Sequence, residues 1–192
     1  MMFLRPSNCC KISLQSTVPF LAILALLWLC PPVQAAFDAF LKIDGITGES
    51  TDLAHENWIE VLSMSAGMAR SSVPGTDATD FQELSILKVY DKASPILYRS
   101  CAAGDPIVSA TLEVRESTGT HQVFLRWVFE DLLVSSIRPG GIGKGEEERP
   151  LEEVTFSYQR IRWEYLPPGG GEPVITTWDI GSGTPILKER QP

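Results

Sequence analysis

Apolar and polar residues alternate with a period of two through most of the chain beyond residue 36, a pattern that predicts β-strands. In the segment 37–43, Ala39, Leu41 and Ile43 fall on one side and the charged residues on the other. Comparable segments bounded by turn residues are 58–64, 81–90, 107–116, 122–129, 132–137, 154–165 and 174–180. We therefore predict a mainly β fold, a compact antiparallel β-barrel of about eight strands.

One short α-helix is predicted to flank this barrel. Ser94 suits the N-cap position, Pro95 suits the first helical position, and Gly104 marks the end of the segment. Ile96, Leu97 and Cys101 can share its apolar face, and we interpret Cys101 as a small buried hydrophobic residue.

The glycine-rich stretch 139–150 is the most conspicuous loop of the chain. Its glycines do not have the spacing of a phosphate-binding loop around Gly143 and Lys144, and three glutamates follow them. A dinucleotide-binding fingerprint that began at Gly141 would need glycine where Glu146 stands. We predict a flexible hairpin or assembly loop at the surface here.

The first 35 residues have the order of a secretory signal peptide. Basic residues precede an apolar run over 18–29, and small residues allow cleavage between Ala35 and Ala36. Such a run is shorter than the roughly 20 residues that a membrane-spanning helix needs, so we predict no permanent span. A wrongly assigned start codon, with Val33 as the true start, is the alternative. In either case 36–192 is predicted to be the barrel domain.

Charge and residue content exclude several classes of function. The formal net charge is −8, and removal of the two basic residues within 1–35 makes it −10, which argues against nucleic-acid binding. His55 and His121 are the only histidines and lack ligand spacing, so we predict surface positions for both and no metal site. We predict no catalytic or cofactor-binding residues, and hence no enzyme, because no nucleophile or carboxylate constellation is visible.

Several segments together resemble one known family in order and spacing. They are Phe40–Ile43, Gly48–Ser50 with His55, Lys88-Val89-Tyr90-Asp91-Lys92-Ala93-Ser94-Pro95, Leu132-Leu133-Val134-Ser135-Ser136 with Gly140 and Gly141, and Ile161–Tyr165 with Trp178–Ile180. The family is the haemolysin-coregulated protein, or Hcp, the tube protein of type VI secretion systems. The positions that we take as family motifs are Lys88, Asp91, Lys92, Ser94, Pro95, Val134, Ser135, Ser136, Gly140 and Gly141.

The resemblance implies a homo-hexameric ring that stacks into a tube, works with sheath and spike proteins, and carries small effectors in its lumen. It implies no catalytic residues. Family members ordinarily lack a cleavable signal, so an exported Hcp-fold binding module in the periplasm or outside the cell is the alternative. An Hcp-type effector enzyme is the weakest reading, because only 181–192 follow the last predicted strand. The expected location is secreted or periplasmic with a signal peptide, and cytoplasmic before secretion if the start is wrongly assigned.

Overall fold

The computed structural model describes residues 37–71, 79–140 and 149–186 of the chain. The predicted signal peptide, its cleavage site at Ala35 and Ala36, and Gly141 all lie outside these ranges. The described ranges form twelve strands and one helix. In chain order they are β1 (Phe37–Ile43), β2 (Ile59–Val61), β3 (Ser63–Ser65), β4 (Met68–Arg70), β5 (Thr79–Phe81), β6 (Leu84–Val89), α1 (Ser94–Ala103), β7 (Ile107–Glu116), β8 (Val123–Gly140), β9 (Leu151–Ser157), β10 (Arg160–Tyr165), β11 (Val174–Asp179) and β12 (Thr184–Pro185).

Two antiparallel sheets share strand β8. The first sheet has the order β12-β11-β10-β8-β7-β1-β2, and the second has the order β3-β6-β9-β8. The short strands β4 and β5 pair only with each other in the described part of the chain. Every strand pairing is antiparallel, as the predicted fold class requires.

Strand β8 forms the corner between the two sheets. It pairs with β7 up to Leu132, and from Leu133 onwards it pairs with β9. Asp131 at this corner has a positive φ of 54°, and the register shifts between Val134 and Ser136. Such bulges bend a strand. The two strands predicted over 122–129 and 132–137 are therefore one bent strand.

The barrel wall passes from one sheet to the other between β2 and β3. These strands do not pair with each other but are separated along the chain by Leu62 alone. The N–H of Leu62 donates to the carbonyl oxygen of Leu87 over 2.8 Å, which attaches this crossing point to β6. The mainly β fold is confirmed, although the ladder is not closed and the described strands outnumber the expected eight. Part of the difference arises because β3, β4, β5 and β12 are short additional strands. The strand predicted over 154–165 is also two strands, β9 and β10, which offsets the merging of two predicted strands into β8.

The core lies between the two sheets, and alternate residues of long strands such as β6 and β9 are buried in it. Leu41 of β1, Leu112 of β7, Phe129 of β8 and Phe156 of β9 are essentially inaccessible to solvent. Burial of a side chain of this size stabilises the folded state by about 1.5–3 kcal/mol. The alternation visible in the sequence therefore shows which side of these strands faces the core.

Helix α1 begins and ends almost where the sequence predicts. Pro95 lies in the first turn, and Gly104 ends the helix with a left-handed φ of 67°. Leu97 is fully buried, and Ile96 and Cys101 are half-buried against the core. The prediction that Ser94 caps the helix is wrong, because Ala93 takes that position and no side chain caps the end.

Candidate functional site

One of the two most deeply buried charges in the described chain is Lys88, near the end of β6. Its side chain is 1% exposed and its ammonium group has four oxygen neighbours. They are the Val89 carbonyl at 2.9 Å, Asp91 Oδ1 at 2.7 Å, Ser94 Oγ at 3.1 Å and Glu152 Oε1 at 2.8 Å. We call Lys88, Asp91, Ser94 and Glu152 the junction cluster. A buried ammonium is tolerated only with such pairing, since its desolvation costs several kcal/mol.

The junction cluster joins three elements of the fold. Glu152 lies directly opposite Lys88 in the pairing of β6 with β9. The hydroxyl of Ser94, in the first turn of α1, donates to Glu152 Oε1 over 2.6 Å. The same hydroxyl accepts the backbone N–H of Asp91 over 3.0 Å, which explains why it is not available as a helix cap. The cluster therefore fixes α1 to both strands.

Lys92, although it lies within the same motif, faces away from this cluster. Its backbone N–H donates to Glu49 Oε1 over 2.9 Å, and its ammonium lies 3.3 Å from Asn57 Oδ1. Glu49 also accepts a hydrogen bond from Arg149, and these two contacts, that of Arg149 first, lower the pKa of the Glu49 carboxyl. Lys92 thus docks the loop between β1 and β2 onto the strand-to-helix turn.

The second predicted motif group lies along the C-terminal half of β8. Val134 is buried in the core, and the register shift between it and Ser136 forms the bulge. The Ser135 hydroxyl lies 3.0 Å from Glu83 Oε2 and 3.1 Å from the Thr155 carbonyl. Gly140 ends the strand opposite Leu151. Because β9 pairs with β6 on one side and β8 on the other, both motif groups meet at β9.

A second network, centred on His55, was missed by the sequence reasoning. His55 is 2% exposed, so the prediction of a surface position is wrong, whereas His121 is exposed as predicted. The Nδ1 atom of His55 lies 3.0 Å from Asp52 Oδ1, and the Nε2 atom of His55 lies 2.8 Å from Glu113 Oε2. The ring stacks on Phe40 at 4.2 Å between centroids. Periodicity could not reveal this burial, because the β1–β2 loop covers the polar face of the strands beneath it.

Arginines extend the His55 network across the first sheet. Arg115 pairs with Asp52 at 2.7 Å and with Asp38 at 3.1 Å. On the other side, Arg126 bridges Glu113 at 2.6 Å and Glu164 at 3.3 Å, and Arg162 lies 2.7 Å from Glu164. Burial acts to raise the pKa of Asp52, but hydrogen bonds from His55 and Arg115 outweigh it and lower the pKa to about 2.

Gly48 allows the β1–β2 loop to close over these residues. A Cβ atom at this position would collide with the carbonyl group of Trp58, so only glycine permits the approach. The N–H of Gly48 donates to the Asn57 carbonyl over 2.8 Å, and that of Ser50 donates to the Trp58 carbonyl over 3.0 Å. The Gly48–Ser50 motif is therefore a requirement of loop closure.

A family model matches most of the sequence. The family model described as type VI secretion system effector, Hcp, matches residues 40–165. That range contains the whole junction cluster and all of the His55 network except Asp38. The chain belongs to the Hcp family. The resemblance that the sequence motifs predicted is confirmed.

Individual Hcp-family proteins match this chain over nearly their whole length. Protein hcp1 of Pseudomonas aeruginosa is 34% identical over 157 residues, which cover 76% of this chain and 96% of the relative. The crystal structure of Hcp1 from Salmonella typhimurium has a TM-score of 0.68 at 34% identity, covering 79% of this chain and all of that one. The crystal structure of a type VI secretion system effector from Yersinia pestis has a TM-score of 0.64 at 29% identity, covering 74% of this chain and 99% of that one.

In this Hcp-family chain, Lys88, Ser94 and Val134 are the predicted motif residues that are buried within the described ranges. Within the described ranges, no three His, Cys, Asp or Glu side chains are grouped so that they could hold a metal ion. The described helix is too short and too polar to cross a membrane.

A surface hollow of about 510 Å³ lies over the β1–β2 loop and is lined by charged and small polar side chains together with the exposed Leu53.

Proposed function

We propose that this chain is a structural subunit of a type VI secretion system that forms a hexameric ring, stacks into a tube and carries small effectors in its lumen. Sheath and spike proteins are the further partners that this role implies. The observation that carries the proposal is the match to Hcp-family proteins over 96–100% of their length. A tube subunit performs no reaction, so the proposal assigns no catalytic residue.

The structure offers an apolar surface on which ring contacts can form. Beyond the barrel, the core side of the first sheet continues across β8, β10 and β11. Tyr165 lies opposite both Leu125 and Val174, and Trp163 lies opposite Trp127. The aromatic face consists of Leu125, Trp127, Trp163, Tyr165 and Val174. Tyr165 and Val174 are exposed and the other three are half-buried.

A different, aliphatic face lies on the outer side of the second sheet. Leu87, Val89 and Leu151 alternate there with the buried residues of β6 and β9, and Val89 lies opposite Leu151. Glu153 and Arg138 lie opposite each other on the same side, next to Leu87. The outer side of the first sheet carries the paired charges of Glu113, Arg126 and Glu164. A chain with a net charge of −8 associates with its own copies most easily through uncharged surfaces.

We assign the aromatic face of one subunit to contact with the aliphatic face of the next. Two different patches on one subunit give a head-to-tail contact, and such a contact produces a ring when the rotation closes. Each subunit then buries both of its apolar faces, which are otherwise left in water at a cost of about 25 cal/mol for each Å².

The assignment is tested by a matched pair of valine substitutions in the purified protein. Val174 on the aromatic face is 67% exposed and Val108 on β7, outside both faces, is 69% exposed, so either position tolerates a polar side chain in the isolated subunit. Val174→Arg should dissociate the ring in sedimentation velocity, and Val108→Arg should leave it intact. A Val174→Arg protein that sediments like wild type would contradict the assigned contact.

The apolar run at 18–29 favours one alternative, an exported Hcp-fold binding module outside the contractile apparatus. Signal-peptide removal would place the first residue at Ala36, directly before β1. The intact mass of the protein isolated from its native cell distinguishes the two roles. A chain that begins at Ala36 supports export, whereas a chain that begins with an initiator methionine at position 33 supports a tube subunit assembled in the cytoplasm.

A further inference from the structure

His55 contacts a carboxylate through each of its two ring nitrogens. Nδ1 lies 3.0 Å from Asp52 Oδ1 and Nε2 lies 2.8 Å from Glu113 Oε2. An ionised carboxylate only accepts hydrogen bonds, and a neutral imidazole carries a single N–H. Both contacts can therefore be hydrogen bonds only when the site holds a second proton, on the ring or on one of the carboxyl groups.

The arginines of the network place that proton on the ring. Asp52 Oδ2 lies 2.7 Å from Arg115, and Glu113 Oε1 lies 2.6 Å from Arg126, so each carboxylate uses its other oxygen to bind a guanidinium. Asp52 Oδ1 also accepts the backbone N–H groups of Ala54 and His55 over 3.0 and 3.1 Å. All of these contacts stabilise the ionised carboxylates, which leaves the imidazole as the group that carries both protons.

The charge balance of the network leads to the same result. Its four carboxylates belong to Asp38, Asp52, Glu113 and Glu164, and its three guanidinium groups belong to Arg115, Arg126 and Arg162. A protonated His55 makes the total charge zero. The other neighbours of the ring are Phe40 of β1, stacked at 4.2 Å, and Trp58, edge-on at 4.8 Å, and neither carries a charge. Lys42 lies beyond Trp58, 5.9 Å from its ring.

We propose that His55 is a pH-dependent latch that holds the β1–β2 loop against β7 while its ring carries both protons. Loss of one proton removes a donor and brings a ring lone pair against a buried carboxylate oxygen, which is repulsive. The latch is therefore closed while the ring is protonated and weakens as the pH rises. This goes beyond the ring-forming role and does not depend on it.

Opening of the latch would weaken the contacts between the β1–β2 loop and the junction of β6 with α1. The loop that His55 anchors carries Glu49, which accepts hydrogen bonds from the Lys92 backbone and from Arg149. It also carries Asn57, whose Oδ1 lies 3.3 Å from the Lys92 ammonium. The pH then controls how firmly the surface hollow, lined by this loop and Lys92, keeps its shape.

Amide hydrogen exchange of the full chain, followed by mass spectrometry, tests this latch. The pH is varied from about 6 to about 9, and rates are corrected for intrinsic exchange. In the wild type, peptides covering 48–58 should lose protection as the pH rises, whereas peptides from β7 and β9 should not. Constant protection of 48–58 over the whole range would overturn the proposal.

Two variants connect the effect to His55. Glutamine can still donate to Glu113 but does not titrate, so His55→Gln should remove the pH dependence of protection in 48–58. His121→Gln, at the other and exposed histidine, should retain it. Loss of the dependence in both variants, or retention in both, would contradict the proposal. The wild-type series decides the question alone if His55→Gln does not fold, and the assembly state recorded beside each sample separates this result from ring formation.

Discussion

Lys88 and Glu152 face each other across the pairing of β6 with β9, with 2.8 Å between Nζ and Oε1 and with both side chains buried. They are 64 residues apart in sequence, yet they connect the end of one strand to the start of another and to the first turn of α1. Glu152 Oε2 has no partner among the described residues, so the lysine and Ser94 are what stabilise this buried carboxylate.

Removal of the lysine charge should leave that carboxylate uncompensated. We expect Lys88→Met to lower the free energy of unfolding by about 3–5 kcal/mol, the range for a broken buried ion pair. Urea unfolding measures the change. Lys92→Met, at an exposed position four residues away, should stay within about 0.5 kcal/mol of wild type. Equal stability of the Lys88→Met protein and the wild type would contradict the account of the cluster.

Ser94 should contribute through its hydrogen bond to Glu152 and not through helix capping. Ser94→Ala removes a buried donor to an ionised acceptor at 2.6 Å and leaves the Asp91 N–H without that acceptor. The expected loss is about 1.5–3 kcal/mol in the free energy of unfolding, measured in urea. Ser135→Ala, at an exposed serine that also contacts a glutamate, should cost less. A smaller loss of stability for Ser94→Ala than for Ser135→Ala would contradict the stabilising role of the hydrogen bond between Ser94 and Glu152.

Asp52 should make stability sensitive to acid. Its pKa is lowered from 3.8 to about 2 in the folded protein, so the ionised side chain stabilises the fold above about pH 4. That contribution, on the order of 2 kcal/mol, is lost as the pH falls from about 4 to about 2. The free energy of unfolding of Asp52→Asn should therefore fall less steeply than that of wild type over this range. Identical slopes would show that the network does not hold Asp52 ionised.

The strand pattern could be predicted from the sequence because alternation reports which side of each strand is buried. Leu41 and Ile43 are in the core as expected. The same rule misleads where another element covers the polar side. His55 and Glu113 lie on or against the polar side of β1 and β7, and only the folded β1–β2 loop shows that they are buried.

Contacts between distant segments were equally inaccessible to a local pattern. The family resemblance identified Lys88 and Ser94 as motif positions but not Glu152, which supplies their shared partner. Ser94 stands before a proline and so has the local features of a helix cap. The carboxylate that accepts its hydrogen bond belongs to Glu152 on β9, which a local pattern cannot reveal. The corner of β8 was also missed, because Glu130 and Asp131 resemble a turn between two strands.

The number of chains in the assembly tests the central claim most directly. Native mass spectrometry of the purified protein, over a wide range of concentrations at moderate salt, counts the subunits without reference to shape. A ring-forming Hcp subunit should give a dominant species of six chains. A single-chain mass at every concentration would contradict the proposal that this protein builds rings.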